Sequence, residues 1–241
     1  MRHLLKSVLI LLLACTLLAG CSFSDHRLRT LTESRLGFIG DYSNFEAFDA
    51  ADGMTAYRYA SPKLRSGYYR GVILEAVDFY PERTQVTDLD ADLLKQVKDY
   101  IDRGLAASFQ GRINAVNESG HGVFVMVPRI TSVSRTFGDI KARELVPVGA
   151  ALAAARSAAG LRHQNIEFYM ELKIIDSLTG ELIGGSIKQG KGREISGRAV
   201  TFEDIKPLLD VWVLDANEAF GRLQEASRQH LPPSPVVLPE N

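Results

Sequence analysis

Apolar residues recur at three- and four-residue steps in two stretches of this chain and at two-residue steps in others, and those periods separate helices from strands. Over residues 91–109, Leu93, Leu94, Val97, Ile101, Leu105 and Phe109 fall on one helical face, with Asp88 and Asp90 ahead of them as N-terminal caps. A second stripe, Ile205, Leu208, Leu209, Trp212, Val213, Ala216, Phe220 and Leu223, predicts a helix from near Thr201 to about Arg228, where the Thr201 to Asp204 spacing fits a capping box. Pro207 has no N–H to donate, so the pattern predicts a kink there or a helix that starts at the proline. Strict alternation marks residues 166–174: Ile166, Phe168, Met170, Leu172 and Ile174 point one way, and Glu167, Tyr169, Glu171 and Lys173 the other. That alternation predicts a strand with one core face and one wet face. Asp176-Ser177-Leu178-Thr179-Gly180 supplies turn residues, and residues 181–188 return as the other arm of a hairpin. Residues 71–79, stopped by Pro81, and residues 123–133 read as two further strands, with Pro128 arguing for an edge or a bulge in the second. The order predicts one α+β domain over residues 36–229, a mixed or antiparallel sheet of about four or more strands packed with two to three helices.

The chain ends read differently. Arg2 and Lys6 precede an apolar run from Ser7 to Gly20 that closes on Leu18-Ala19-Gly20-Cys21. The run is shorter than the roughly 20 residues of a membrane-spanning helix, and it resembles a lipoprotein signal of residues 1–20 with a lipobox. Small residues at Ala19 and Gly20 let an extended backbone enter a peptidase, and Cys21 supplies a sulfur that can be diacylated. Cleavage before Cys21 leaves a lipidated N-terminus whose several acyl chains, at about 0.8 kcal/mol per buried methylene, make a permanent membrane anchor. The alternative is an ordinary secretory signal releasing a soluble periplasmic protein, which leaves Cys21 unexplained. Residues 21–35 are polar and mixed in charge and read as a tether with a reach of ~20 Å and a contour near ~50 Å. Ser22, where an Asp commonly retains such proteins at the inner membrane, points to the cell outer membrane with the domain facing the periplasm. Residues 230–241, with Pro232, Pro233 and Pro235, read as a tail.

Composition narrows the chemistry. The only cysteines are Cys15, inside the signal, and Cys21, so the mature domain has none for a disulfide or a thiolate metal site. A formal net charge of -1 offers no basic domain for a nucleic-acid partner. Asp88-Leu89-Asp90-Ala91-Asp92 has alternating carboxylates like a calcium loop, but Leu93 stands where the turn requires glycine, and acids opening a helix are expected from its dipole. Residues 185–191 match the start of a phosphate-binding loop, yet Gly192 replaces its Ser or Thr, and a glycine-rich strand end fits better. Lys188, Lys191, Arg193 and Arg198 read as a solvated basic loop, with anionic lipid or cell-wall polymer as the sharper alternative. His26, His121, His163 and His230 lack ligand spacing, and no serine sits in a nucleophile elbow. The expectation is therefore no metal, no cofactor and no enzymatic activity. Gly149, Ala150, Leu152, Ala153 and Ala154, in an alanine-rich stretch, form a candidate interaction surface, with internal packing as the alternative.

Several short motifs together resemble an uncharacterised bacterial lipoprotein family, domain of unknown function 3313. They are Gly37-Phe38-Ile39-Gly40-Asp41-Tyr42-Ser43, the strand-to-helix stretch 72–109, Pro147-Val148-Gly149-Ala150-Ala151-Leu152, the hairpin 172–182 with its Asp176 turn, and Asp210-Val211-Trp212. The resemblance spans nearly the whole mature domain and implies a lipoprotein with no assigned activity, hence no catalytic residues to carry over. Two functional expectations follow. The first is a membrane-anchored, non-catalytic envelope domain that binds another envelope protein or itself. The second is a periplasmic small-molecule or glycan-binding module, with or without hydrolytic activity.

Overall fold

The computed structural model describes residues 36–65, 67–81, 89–137 and 164–229. Its elements in chain order are β1 (Glu46–Asp49), β2 (Thr55–Ala60), a single-turn α1 (Pro62–Arg65), β3 (Gly71–Leu74), β4 (Asp78–Phe79), α2 (Ala91–Phe109), β5 (Asn114–Ala115), β6 (Val123–Phe137), β7 (Gln164–Asp176), β8 (Leu182–Lys191) and α3 (Phe202–Gln229). The strands form one 8-stranded mixed sheet in the order β1-β2-β8-β7-β6-β3-β5, with β4 also paired to β6. This is the α+β class the periodicities predict, with more strands than the clearest patterns supply. The added ones are β1, β2 and β5, of 4, 6 and 2 residues, and β5 is too short to show any alternation.

The helix α2 matches its periodic stretch because its signals agree. Asp90 caps it, its side chain accepting the Asp92 N–H at 2.7 Å, and Gly111 follows the C-terminal end at φ 73°, a left-handed position suited to glycine. The acids of the calcium-like run thus serve the helix start, and Asp99 pairs with Lys95 one turn away; Asp88 lies outside the described residues. At the start of α3, Asp204 accepts the Thr201 N–H at 2.9 Å and the Thr201 hydroxyl at 2.8 Å. Arg198 adds a two-pronged contact to the same carboxylate, holding its pKa well below the usual range. This cap outweighs the proline: α3 starts at Phe202 and runs through Pro207 instead of beginning there.

Three expectations about strands are corrected. Residues 71–79 form two short strands, β3 and β4, both parallel to β6. Pro128 lies within the long β6, with β7 paired along its other side, and the register shift falls between Ile130 and Ser132 instead. The carbonyls of Met126 and Ile130 accept N–H groups from Glu75 and Tyr80, so the nitrogen of Pro128, two residues from each, faces the same side. There it meets the gap between β3 and β4, where no ladder bond is lost. The returning arm of the hairpin, expected to end at residue 188 with Lys188 in a basic loop, continues to Lys191, so that Lys188 lies inside β8 and residues 185–191 are its glycine-rich end, as read.

Both long helices pack on one sheet face. Leu93, Val97, Ile101 and Leu105 of α2 meet Ile205, Leu208, Leu209 and Trp212 of α3 over Ile130, Ile166, Phe168 and Met170. A second cluster joins Phe109 and Phe220 to Val72, Phe124, Met126 and Ile183. Small residues set the spacing of these layers. A Cβ on Gly190 would lie 2.7 Å from Leu208 and 3.0 Å from Trp212, so β8 carries no side chain where α3 crosses it. On α2, a Cβ at Gly104 would collide with the γ-methyls of Val213 on α3.

Gly104→Ala is therefore a test of layer spacing. Helix propensity alone favours Ala by about 1 kcal/mol, whereas overpacking costs about 1–3 kcal/mol. We expect net destabilisation, read as a lowered urea midpoint with an unchanged slope; a gain in stability would mean that the two helices separate easily.

Candidate functional site

The second face of the sheet is where the structure departs most from the alternating pattern. Glu171 and Tyr169, on the face expected to be wet, are 0% and 4% exposed. Over Glu171 lies the polypeptide just before β1. Residues 38–45 cross this face as a strap, with Ile39 and Phe45 buried and Phe45 in ring contact with Tyr42 and with Tyr59 of β2.

Glu171 is the point of attachment. Its carboxylate accepts the backbone N–H of Phe38 at 3.3 Å, that of Ile39 at 2.9 Å and the hydroxyl of Tyr42 at 2.6 Å. A buried ionised carboxylate without such donors would be strongly destabilising, and each hydrogen bond to a charged acceptor contributes roughly 1.5–3 kcal/mol. The strap and the carboxylate therefore depend on one another. Gly40, between the two anchor points, takes φ 90°, a conformation that side chains disfavour. At the leading edge of the strap the Phe38 ring is flanked by the Lys173 ammonium at 4.3 Å, the Arg129 guanidinium at 5.5 Å and the Tyr80 ring at 5.2 Å.

Two further polar clusters tie the remaining pieces to the sheet. At the β7–β8 turn, Asp176 accepts the Lys63 ammonium and the Tyr69 hydroxyl, each at 2.7 Å, and the Leu178 and Thr179 N–H groups at 3.0 Å. Those donors hold its carboxyl well below the usual carboxylate range, while burial first and the Asp176 hydrogen bond second push the Tyr69 phenol up to about 12. On the helix face, Lys188 of β8 meets Asp215 of α3 at 2.6 Å, both nearly inaccessible. Burial pulls the Lys188 pKa down against the opposing pull of Asp215. Lys188 is thus an interior tie to α3 and not part of a solvated basic loop, whereas Lys191, at the end of β8, and Arg193 and Arg198, in the loop that follows, are exposed, with Arg198 paired to Asp204.

Leu18, Ala19, Gly20 and Cys21 lie outside the described residues, as do Gly149, Ala150, Leu152, Ala153 and Ala154. None of the Glu171 cluster was marked by its sequence pattern as a site. The one available signal was Tyr169 among the supposedly wet positions, together with apolar Phe38 and Ile39 directly after a polar stretch. Among the described residues no group of three or more His, Cys, Asp or Glu is arranged to hold a metal, and no helix is long and apolar enough to cross a membrane.

Known proteins resemble this chain as follows. A family model described as a protein of unknown function, DUF3313, matches residues 34–216. The uncharacterized lipoprotein YdcL of Escherichia coli K12 is 24% identical over 206 residues, covering 84% of this chain and 91% of the relative. Among solved structures, a PelC dodecamer from Paraburkholderia phytofirmans covers 68% of this chain and 98% of its own at 11% identity and TM-score 0.34. A minor lipoprotein from Acinetobacter baumannii covers 68% and 95% at 11% identity and TM-score 0.30.

Two predictions test the clusters. Tyr42→Phe and Glu171→Gln should each destabilise the domain by about 1.5–3 kcal/mol, and faster amide exchange should appear first at Ile39; unchanged exchange there would show that the strap is held by packing alone. For Asp204 and Asp176 the folded pKa lies below the unfolded value, so their contribution is present at neutral pH and fades as pH falls below about 4. Asp204→Asn should be less stable than wild type at pH 7 and show a shallower loss between pH 5 and pH 2 in thermal melts; parallel acid limbs would contradict this.

Proposed function

The chain belongs to the DUF3313 family, proteins of unknown function, and from that premise we propose that it is a lipoprotein, anchored through acylated Cys21, whose domain serves as a non-catalytic assembly or interaction module on the periplasmic side of the outer membrane. The anchor is supported by the Leu18-Ala19-Gly20-Cys21 signal and by the lipoprotein among its relatives. The single observation that carries the module reading is the strap. Residues 38–45, the first part of the domain after the tether, are bound into the sheet through a buried carboxylate, so a pull on the tether is borne by the middle of the sheet. A second support is that the best-connected acids, Glu171, Asp176 and Asp204, have both oxygens engaged by donors from their own fold. Carboxylates held in that way brace elements and are poorly placed to exchange protons with a substrate.

The partner of such a module is another envelope protein or a second copy, and the segment proposed to meet it includes Gly149, Ala150, Leu152, Ala153 and Ala154, whose small side chains allow close backbone approach. The small-molecule or glycan-binding alternative has no particular observation in its favour.

Cys21→Ser should abolish acyl labelling and leave an uncleaved or mislocalised precursor; wild type that fractionates with membranes but takes up no acyl label would overturn the anchor. Crosslinking in cells, with an abundance-matched lipoprotein as control, should return a stoichiometric protein partner or homo-oligomer. Ala153 and Ala154 replaced together by bulky polar residues should lose that partner while the domain keeps its melting temperature. Unfolding of the variant, or a clean monomer in wild-type cells, would refute the interaction surface.

A further inference from the structure

Lys173 lies on the strap side of the sheet, where Arg129 of the neighbouring β6 is neutralised by Glu75 at 2.7 Å. Lys173 has no carboxylate within ion-pair distance among the described residues; its ammonium lies on the Phe38 ring. The nearby Glu171 is fully buried, its oxygens holding the strap from beneath. The result is a half-buried ammonium with Phe38 beside it, the Arg129 guanidinium on the same ring, and Tyr80 next to them at 41% exposure. A cation set among aromatic rings is the side-chain chemistry of a membrane–water interface, where rings settle at headgroup level and ammonium groups meet phosphate.

Chain connectivity selects the occupant. Cys21 precedes Phe38 by seventeen positions, a span that covers no more than ~60 Å even when fully extended. The tether therefore joins the domain at this patch, which holds it at high effective concentration near the bilayer. We infer that Lys173, with Phe38, Arg129 and Tyr80, docks the domain onto the phosphate headgroups of the anionic lipid surface that holds its anchor. This inference rests on the lipid-anchor reading above.

The test uses the full lipidated chain carrying Asn44→Cys, an exposed strap position, as a single dye site, since Cys21 is acylated and Cys15 is removed with the signal. The protein is placed in vesicles of phosphatidylcholine alone, or of phosphatidylcholine with phosphatidylglycerol, each containing a headgroup-level quencher lipid. Flotation with both vesicle types reports the anchor independently of docking. With the anchor intact, the docked-to-undocked ratio should rise roughly fivefold in the phosphatidylglycerol vesicles, the factor expected of one cation at an anionic surface. Lys173→Glu should abolish that rise and Lys173→Gln reduce it. Lys191→Glu, near the opposite end of β8, should leave it intact. Equal quenching in both vesicles, an unaffected Lys173→Glu, or an equal loss in Lys191→Glu would overturn the docking site. So would charge-independent quenching combined with Lys173-dependent crosslinking to an acidic protein, which assigns the patch to a protein partner. Failure to float would overturn the anchor, and the docking with it.

Discussion

A carboxylate in the middle of a sheet, closed off from water, has to find its donors within the protein, and Glu171 finds them in a segment that is far away in sequence. The Phe38 and Ile39 amides and the Tyr42 hydroxyl satisfy it. In doing so they fix the strap across the face that the helices leave bare. Tyr169, Ile187 and Tyr57, which share that face with Glu171, are buried as well. The layered order of the molecule, helices on one side and strap on the other, turns on that contact.

The helix side is organised by a different means. Glycines at 104 and 190 bring α2, α3 and β8 into close approach, and the Lys188–Asp215 pair joins β8 to α3 inside the layer. Removing either partner would leave a buried charge uncompensated, so the pair ties β8 and α3 to one another. The Ala51 amide, in the β1–β2 turn, also lies 3.4 Å from Asp215, so the tip of that hairpin sits close to the same acid.

The motifs that connect the chain to DUF3313 acquire physical roles in this arrangement. Phe38, Ile39 and Tyr42 form the strap, Asp176 gathers Lys63, Tyr69 and its own turn, and Trp212 fills the space above Gly190. Asp210 bonds Tyr100 and Lys206, linking α3 to α2. Each joins elements remote in sequence. Such residues define a fold, and by themselves they name no substrate.

Local order was written in the chain. The stripes of α2 and α3, the Asp90 and Thr201 caps, and the alternation of β7 with its turn are properties of neighbouring residues, because a helix or a hairpin satisfies its backbone within a few positions. The Leu18-Ala19-Gly20-Cys21 pattern is likewise a property of neighbouring residues. The tertiary structure alone decided which side of β7 met water, since alternation reports which positions share a face and is silent on what covers it. It alone showed Pro128 seated in the gap between β3 and β4, and Lys188 drawn inside by an acid on a helix not yet formed when the strand is read by itself. In each case the deciding partner lies on another element, and only folding brings it within hydrogen-bonding distance.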